Sequence, residues 1–431
     1  MSTFQIAILA VFAALAVAGV GIFAFVVGGQ QTETIGAVEM WGTFDEAAVS
    51  AVLRQLSEGD SRFKNITYIE KKPETYSKEL TEALAANRGP DVYILRHDDA
   101  IRDAAKLTPI SYEALPKEQF NNTFIQGAEP FLSLDGVLAI PLLVDPLVMY
   151  WNRDILSTAG FSQPPATWDE LYNFATKVTK KDDTNSIIKS AIALGEYQNV
   201  THAKDIITLL MLQAGGTITR YQGDELISSL GSRSNEAQQP SEAALRFFTE
   251  FANPSNAFYS WNRAQRESRS AFGANALALY LGRASEEPLL RQANPNLNFA
   301  VAAVPQLKTR EYSLNVGTVY ALAIPRTSKN PGGAQQAVYI LASQQSSLLF
   351  AQAIGIPSAR RDVLNAGATG LDEVFNMQAI ITRAWIDPDP DKTGELFRAM
   401  IEGVTSGAAK IGEALQRGDQ TLGTLLREQQ L

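Results

Sequence analysis

Two patterns of hydrophobic and polar residues alternate along the chain after residue 35. Some segments have a strand pattern, a short run rich in β-branched and aromatic residues, and others a helix pattern, in which apolar residues recur every three or four positions. In order they are the strand 35–42, the helix 45–58, the strand 65–71, the helix 75–89 and the strand 90–95. This order is typical of a parallel sheet with crossover helices, so the pattern predicts an α/β fold.

The same alternation continues downstream, and helices dominate the last third of the chain. Thr167 and Glu170 in "PPATWDEL" have the spacing of a capping box and predict the start of a helix. Further helices are predicted at 201–214, 241–252 and 333–353, strands at 296–307 and 319–325, and a surface loop at 231–240. The α/β prediction therefore extends over the whole chain.

The first residues differ from the rest. Every residue from Ile6 to Val27 is apolar or glycine, a run long enough to cross a membrane as a helix. A cleaved signal peptide normally begins with basic residues, and no Lys or Arg occurs before Arg54, so an uncleaved anchor is favoured; "AVAG" at 16–19 keeps cleavage as the alternative. We predict a stub at 1–5, a transmembrane helix at 6–27 and a linker at 28–35, with the folded domain on the extracytoplasmic side.

Composition excludes several classes of function. The chain has 431 residues, a net charge of -9 and no Lys/Arg stripe, which argues against a nucleic-acid partner. With no cysteine and two histidines, it has no thiol chemistry, no disulfide, no lipid-modified cysteine and little material for a zinc site. It contains no nucleophile elbow, no Walker A loop and no dinucleotide fingerprint. The sequence therefore predicts a protein that is not an enzyme and needs neither cofactor nor metal.

Aromatic and polar residues at the ends of predicted segments remain as candidates for a binding site. The stretch "AIPLLVDPLVMYWNRDIL" at 139–156 places Asp145 in an apolar run, where a carboxylate needs a partner. Ligands of open α/β sheets bind beyond the carboxyl ends of strands. Aromatic faces stack on sugar C–H faces, and carboxylates and amides accept sugar hydroxyls. The candidates therefore suit a neutral polyhydroxylated ligand: Trp41, Asp145, Tyr259, Trp261, Tyr280, Gly282, Tyr312 and Trp385.

The order of these segments resembles that of a known family. "DGVLAIPLLVDPLVMYWNRDILSTAGFSQPPATWDEL" is similar to the hinge-and-helix stretch of family 1 extracellular solute-binding proteins, the maltose-binding-protein-like receptors of ABC importers. Further matches are "GPDVYIL", "SWNRAQRESRSAFGANALALYLG", "NFAVAAVPQ" and "YALAIPRTSKNPGGAQQAVYILAS", and together they run through nearly the whole chain after residue 35. The resemblance implies a two-lobed, periplasmic-binding-protein-like α/β fold of type II, with a ligand in the cleft between the lobes.

The resemblance also implies where the chain passes between the lobes. Crossings are expected near Leu143–Pro146 and Val304–Gln306, and a third after the helix at 333–353. Lobe 1 then consists of 36–143 and about 306–346, and lobe 2 of about 146–303 and 350–431, including the C-terminal helices.

Roles in ligand binding follow from the same resemblance. Asp145 accepts hydrogen bonds from ligand hydroxyls at the floor of the cleft, or else it is a hinge residue bonded to nearby backbone amides. Trp41 and Trp261 stack on the ligand, or else they pack in the lobe cores. The resemblance also suggests ligand contacts from Glu196, Asn199, Tyr312 and Trp385, and Tyr280 and Gly282 stay candidates from their position at a segment end.

These observations together predict a monomeric, membrane-tethered receptor that binds a small solute and delivers it to an ABC permease. A carbohydrate is the favoured ligand, and a polyol or a phosphodiester stays open. Two other hypotheses remain. An extracellular carbohydrate-active hydrolase needs two carboxylates about 5 to 9.5 Å apart, and the sequence supplies no motif for them. A tethered structural or adhesion domain needs no small ligand at all.

Overall fold

The computed structural model of the protein describes residues 35–231, 239–308 and 312–430. The transmembrane helix predicted at 6–27 lies outside these residues, together with the stub at 1–5 and most of the linker. Within the described ranges, no helix is long and apolar enough to cross a membrane. Ile35 is buried, so the packed domain includes the first described residue.

Twelve strands and sixteen α-helices, counted over the described residues, make up the domain together with five short 3-10 helices. The strands are β1 Val38–Gly42, β2 Ile66–Glu70, β3 Val92–Arg96, β4 Ala139–Asn152, β5 Lys180–Lys181, β6 Ile187–Ile192, β7 Thr219–Gln222, β8 Glu225–Ser228, β9 Leu277–Arg283, β10 Phe299–Ala302, β11 Asn315–Ala323 and β12 Thr382–Arg383. The first eight helices are α1 Glu46–Gly59, α2 Pro73–Ala85, α3 Ala100–Asp103, α4 Lys117–Thr123, α5 Arg153–Thr158, α6 Glu170–Val178, α7 Ala203–Gln213 and α8 Pro240–Glu250. The others are α9 Ser268–Gly273, α10 Glu287–Ala293, α11 Pro331–Leu341, α12 Gln344–Ile354, α13 Arg361–Leu364, α14 Leu371–Ile380, α15 Pro390–Thr405 and α16 Ile411–Gln430.

Local signals account for the segments that the sequence predicts correctly. Helix α1 begins where Asp45 caps it, because the Asp45 carboxylate accepts a hydrogen bond from the backbone N–H of Ala48 at 2.7 Å. The same helix buries Val49 and Leu56 against lobe 1. Each such face removes apolar surface from water, which is the main stabilisation of an amphipathic helix.

Two local predictions differ from the structure in detail. The helix predicted at 333–353 is divided into α11 and α12, because Ser343 interrupts it and caps α12 by accepting a hydrogen bond from the N–H of Ser346. The capping box is half formed: the Glu170 carboxylate accepts from the N–H groups of Ala166 and Thr167 at 2.8 and 3.3 Å. Helix α6 accordingly begins at Glu170 itself.

One ten-stranded sheet runs through the molecule, in the order β2-β1-β3-β11-β4-β9-β6-β5, with β10 paired to β4 and β12 to β11. β1 pairs in parallel with β2 and β3, as the sequence predicts, whereas the central strands β11, β4 and β9 pair antiparallel. Residues 139–146 of β4 pair with β11, and residues 147–152 pair with β9 and β10. A single strand thus connects the two halves of the sheet.

Two separate hydrophobic cores define the two lobes. The core of lobe 1 contains side chains from β1, β3, the first half of β4, the second half of β11, α1, α11 and α12. The core of lobe 2 contains side chains from the second half of β4, β6, β9, α6, α7, α8, α15 and α16. The predicted two-lobed α/β architecture is therefore present.

The chain passes from lobe 1 to lobe 2 at residues 144–147, and the second crossing comes later than the one expected from the resemblance. It lies within β11, at 316–319, rather than at 304–306. The chain stays on lobe 2 after β10 because β10 pairs with the lobe 2 half of β4. The N–H of Leu314 also donates to the side-chain oxygen of Gln306 at 3.0 Å, which holds this stretch in place.

The third boundary is also displaced from the predicted one. Phe350, Ala359 and Leu364 pack in the core of lobe 1, although the segment from 350 onward was expected in lobe 2. Helix α14 lies across the boundary, since Phe375 packs in lobe 2 and Ala379 in lobe 1. Lobe 2 therefore regains the chain after α14, near β12.

Candidate functional site

A cavity of about 910 Å³ opens between the lobes, beside the first two crossings and at the carboxyl ends of β1 and β3. We refer to it as the cleft. Lobe 1 supplies most of its wall, and lobe 2 contributes Ser285, Pro288 and Leu289 from the turn before α10 and its first residues. This is the edge of the sheet at which open α/β folds bind their ligands.

One side of the cleft is largely apolar. Phe44 and Tyr320 meet edge to face with their ring centroids 5.0 Å apart, and Tyr76 adds a third ring. Leu289 faces them from lobe 2 and keeps 50% of its surface exposed. A ligand with an apolar face can therefore bury that face here.

The other side of the cleft is charged and follows directly from the end of β3. Arg96 donates hydrogen bonds to Asp98, while Arg102 pairs with Asp99 at 2.6 Å and approaches Asp103 at 3.8 Å. Burial opposes the charge on Asp98, but the Arg96 guanidinium outweighs it and holds the pKa of Asp98 at about 2. Burial and the Asp98 charge raise the pKa of Asp99 to about 7. This wall offers carboxylate acceptors and guanidinium donors to a polar ligand.

Asp145 lies in the wall of the cleft, and the protein itself occupies both of its carboxylate oxygens. Ser285 donates to them from its backbone N–H at 3.0 Å and from its hydroxyl at 2.6 Å. Burial raises the pKa of Asp145, although the Arg283 charge and the Ser285 hydrogen bonds oppose that rise. The position agrees with a ligand role and the bonding with a hinge role, so its function stays a prediction.

A buried polar network supports the lobe 2 side of the cleft. Arg283 pairs with Asp205 at 2.6 Å, and His202 Nε2 lies 2.6 Å from Glu286 Oε1. The Tyr280 hydroxyl also donates to Glu286, and its ring is 1% exposed. Burial opposes the charge on His202, but hydrogen bonds to Asp205 and Glu286 outweigh it and raise its pKa. In the described part of the chain no group of three or more His, Cys, Asp or Glu is arranged to hold a metal ion.

Gly282, another predicted contact, lies inside this network. A Cβ at this position would come within 2.4 Å of Tyr280 Cε1 and 2.7 Å of Glu286 Oε2. The glycine therefore permits close packing of the network, and neither Gly282 nor Tyr280 lines the cleft.

Trp261, Asn199 and Glu196 lie together in lobe 2, away from the cleft wall. Trp261 is 0% exposed, and its indole N–H donates to Asn199 Oδ1 at 3.0 Å. Glu196 pairs with Arg263 at 3.0 Å. No face of Trp261 is open to a ligand in this conformation, where the ring packs inside lobe 2, and its role in ligand binding stays a prediction.

The remaining predicted residues are spread over the molecule. Trp41 is buried under the ammonium of Lys71, which lies 3.9 Å from its ring centroid. The Lys204 ammonium lies 5.6 Å from the ring centroid of Trp385. Tyr312 is 61% exposed. Tyr259 is buried. All ten candidate residues fall within the described ranges, and among them Asp145 alone lines the cleft.

Sequence reasoning missed several aromatic and charged residues that line the cleft: Phe44, Arg96, Asp99, Arg102 and Tyr320. A signal for several of them was available. Phe44 comes two residues after β1, and Asp99 three residues after β3, so the strand-end rule applied a few residues further along would have found them. Tyr320 lies within a strand, and its exposure depends on which side of β11 faces the gap between the lobes.

A profile of the family described as "Bacterial extracellular solute-binding protein" matches residues 63–346, which is more than half of the chain. The chain belongs to this family. The family confirms the predicted role of an extracellular solute-binding protein, a binding protein rather than an enzyme.

Curated relatives match this solute-binding protein over a shorter segment. Proteins of Brucella abortus and Brucella suis, whose names describe them as binding proteins, are 30% identical to it over 105 residues. The alignment spans 23% of this chain and 25% of each relative, so the chain is matched to about a quarter of their length.

Solved structures share the fold over nearly the whole described domain. An ABC transporter solute-binding protein from Thermotoga lettingae, bound with α-D-tagatose, covers 91% of this chain and 100% of its own, with 21% identity and a TM-score of 0.66. The cyclic α-maltosyl-1,6-maltose binding protein of Arthrobacter globiformis covers 91% of this chain and 99% of its own, with 15% identity and a TM-score of 0.74. The sugar-binding protein MalE of Xanthomonas citri covers 91% of this chain and 98% of its own, with 19% identity and a TM-score of 0.70. At these identities the likeness shows the fold.

Proposed function

We propose that this solute-binding protein receives a neutral carbohydrate in the cleft and delivers it to an ABC permease. The observation that carries the proposal is the division of the cleft into an apolar side with Phe44 and Tyr320 and a charged side with Asp99 and Arg102. A sugar presents both kinds of surface, since its C–H faces bury against rings and its hydroxyls bond to charged groups. The cavity volume of about 910 Å³ leaves room for more than one sugar ring.

The charges of the wall favour a neutral ligand over a phosphodiester. The lining contains four carboxylates, those of Asp45, Asp99, Asp103 and Asp145, and two guanidiniums. Both guanidiniums already pair with aspartates. The N-terminus of α1, which would otherwise attract an anion, is capped by the Asp45 carboxylate. An anionic ligand would therefore compete with aspartates for both guanidiniums, even though burial raises the pKa values of Asp99 and Asp145 and so reduces their charge.

Ligand binding would work through closure of the two lobes. Ser285, Pro288 and Leu289 of lobe 2 face the lobe 1 wall, so a solute can touch both lobes when they are close together. Such a solute binds the closed arrangement more strongly than the open one and shifts the population toward it.

Membrane attachment through 6–27 is part of the proposal. The apolar length of that segment supports it, and the extracellular family is consistent with a domain on the outer face. One of the structurally similar proteins is an ABC transporter solute-binding protein, and this similarity supports an ABC permease as the partner. Cell fractionation of the full chain and of residues 35–431 tests the attachment: the full chain is expected in the membrane fraction, and the shorter one outside it.

A thermal-shift screen tests the ligand. It compares maltotetraose, tagatose, other neutral oligosaccharides, polyols and glycerophosphodiesters, because a solute far above its Kd stabilises a receptor by about 3–4 kcal/mol. Leu289→Asn is expected to weaken binding of the active solute about three- to tenfold, since it removes apolar contact. Leu134→Asn, at a residue 73% exposed outside the cleft, is the matched control. Absence of a shift with every sugar and polyol would remove the carbohydrate proposal.

A further inference from the structure

An ion pair joins the two lobes across the cleft. Arg102 belongs to α3 of lobe 1, and its Nη1 lies 3.7 Å from Oδ2 of Asp391 in the first turn of α15 of lobe 2. On its own lobe, Arg102 pairs with Asp99 at 2.6 Å and donates to Ser77 Oγ at 3.1 Å. These bonds fix the direction of the guanidinium, so less side-chain entropy is lost when Asp391 approaches.

Lobe 2 presents Asp391 from an anchored position. Lys204 on α7 donates to Asp387 at 2.6 Å, to the Pro390 carbonyl at 3.1 Å and to the Thr393 hydroxyl at 2.7 Å, which ties the start of α15 to the lobe. The Asp391 side chain, by contrast, is 93% exposed. The Asp391 carboxylate therefore extends into solvent from a helix end that is held in place, on the side of lobe 2 that faces Arg102 of lobe 1.

A second set of charges faces the same gap, but its contributions oppose each other. Asp98 of lobe 1 is stabilised in its charged form by Lys204 of lobe 2, and it disfavours the charge of Asp387, also of lobe 2. Lys204 is itself paired with Asp387 at 2.6 Å. The attraction that favours closely spaced lobes therefore comes from Arg102 and Asp391.

We propose that Arg102 and Asp391 form a latch that favours the closed arrangement of the lobes, so that closure of the empty cleft decreases with ionic strength. The latch rests on the proposed function, because closure controls affinity when a solute binds between the lobes. Since one member of the pair is exposed, the latch changes the closed-to-open ratio by about two- to fivefold and is screened by salt.

The experiment measures closure by energy transfer between two dyes. The chain contains no cysteine, so Arg88→Cys on lobe 1 and Ser255→Cys on lobe 2, both at exposed positions, give two defined labelling sites in the full-length protein. The variants are Asp391→Asn and Asp391→Lys, with Glu428→Gln as the matched control. Glu428 pairs with Lys392 at 3.0 Å within lobe 2 and does not cross the cleft.

Asp391→Asn is expected to lower the closed-to-open ratio about two- to fivefold at low salt, and Asp391→Lys to lower it further, because it repels Arg102. Raising the salt concentration from about 0.02 M to about 0.5 M should open the unsubstituted protein and leave Asp391→Asn unchanged. Equal ratios for the unsubstituted protein and both Asp391 variants, or an equal change in Glu428→Gln, overturns the latch. Thermal melting of each variant confirms that it is folded.

The result is separable from the test of function. If a sugar stabilises the unsubstituted protein while Asp391→Asn closes normally, the latch is wrong and the receptor proposal stands. If Asp391→Asn opens the lobes while no solute stabilises the protein, the latch stands and the carbohydrate proposal is wrong.

Discussion

Ser285 donates two hydrogen bonds to Asp145, one from its backbone N–H and one from its hydroxyl. The bonds join the lobe 2 wall of the cleft to β4, at the first crossing. Asp145 is 2% exposed, so its carboxylate depends on these donors rather than on water.

Asp145→Asn and Asp145→Ala are expected to differ in stability. Asparagine keeps an oxygen for the Ser285 N–H and removes a charge that burial disfavours, so the free energy of unfolding should change by less than about 1 kcal/mol. Alanine leaves the Ser285 donors unpaired and should cost about 1–3 kcal/mol. Urea denaturation at neutral pH checks both. Equal losses would show that the hydrogen bonds do not hold the wall.

Gly282→Ala should destabilise lobe 2. The new methyl group would press on Tyr280 and Glu286, and overpacking of this kind costs about 1–3 kcal/mol. Gly423→Ala, within α16, is the control: its methyl would meet the flexible end of Arg427 at 3.7 Å, and the better helix propensity should raise stability by about 0.5–1 kcal/mol. Denaturant midpoints measure both, and an unaffected Gly282→Ala would show that the network yields easily.

Trp261→Ala should act on stability rather than on affinity. Its ring is fully buried in lobe 2, so truncation should cost about 3–5 kcal/mol. Tyr320→Ala, in the cleft, should instead weaken binding of the solute found by thermal shift about tenfold. Calorimetry on the folded variants separates the two. Thirtyfold weaker binding by a stable Trp261→Ala protein would return the indole to the ligand site.

The His202 network should make stability depend on pH. Burial lowers the pKa of His202, but the hydrogen bonds to Asp205 and Glu286 prevail and raise it above 6.5. The stabilisation is therefore complete below 6.5 and is lost as pH rises through the higher folded value. The guanidiniums of Arg283 and Arg269 also face these carboxylates.

His202→Asn should reduce the dependence of the unfolding free energy on pH above 6.5. The difference in unfolding free energy between the unsubstituted protein and His202→Asn is expected to shrink as pH rises above 6.5, measured by urea titrations from acidic to alkaline pH. A difference that stays constant over the range would show that His202 does not change its charge there.

Local patterns were sufficient to predict several of the helices and strands of this chain in their order along the sequence. These depend on neighbouring residues: apolar spacing and the cap at Asp45 for α1, and the largely apolar run of β4. The second crossing could not be predicted in this way. Its position is decided by the pairing of β10 with β4, between strands more than a hundred residues apart.

The binding site was harder to predict because the type of a residue does not show whether its side chain points into the core of a lobe or into the cleft. Trp261 and Phe44 are both aromatic residues near segment ends, yet the first packs inside lobe 2 and the second lines the cleft. Asp145 drew attention because an acid inside an apolar run is unusual wherever it occurs, and it lines the cleft. Arg102 and Asp99 resemble ordinary surface charges until the second lobe is in view.

Strand β4 also determines how the protein can fold. Because residues 139–146 complete one half of the sheet and residues 147–152 the other, a chain cut at this strand would leave each lobe with an unpaired sheet edge. Each lobe is moreover assembled from segments that are far apart in sequence. Contacts of such long range close slowly, so the two lobes are expected to mature as one cooperative unit, and late in folding, rather than as independent modules.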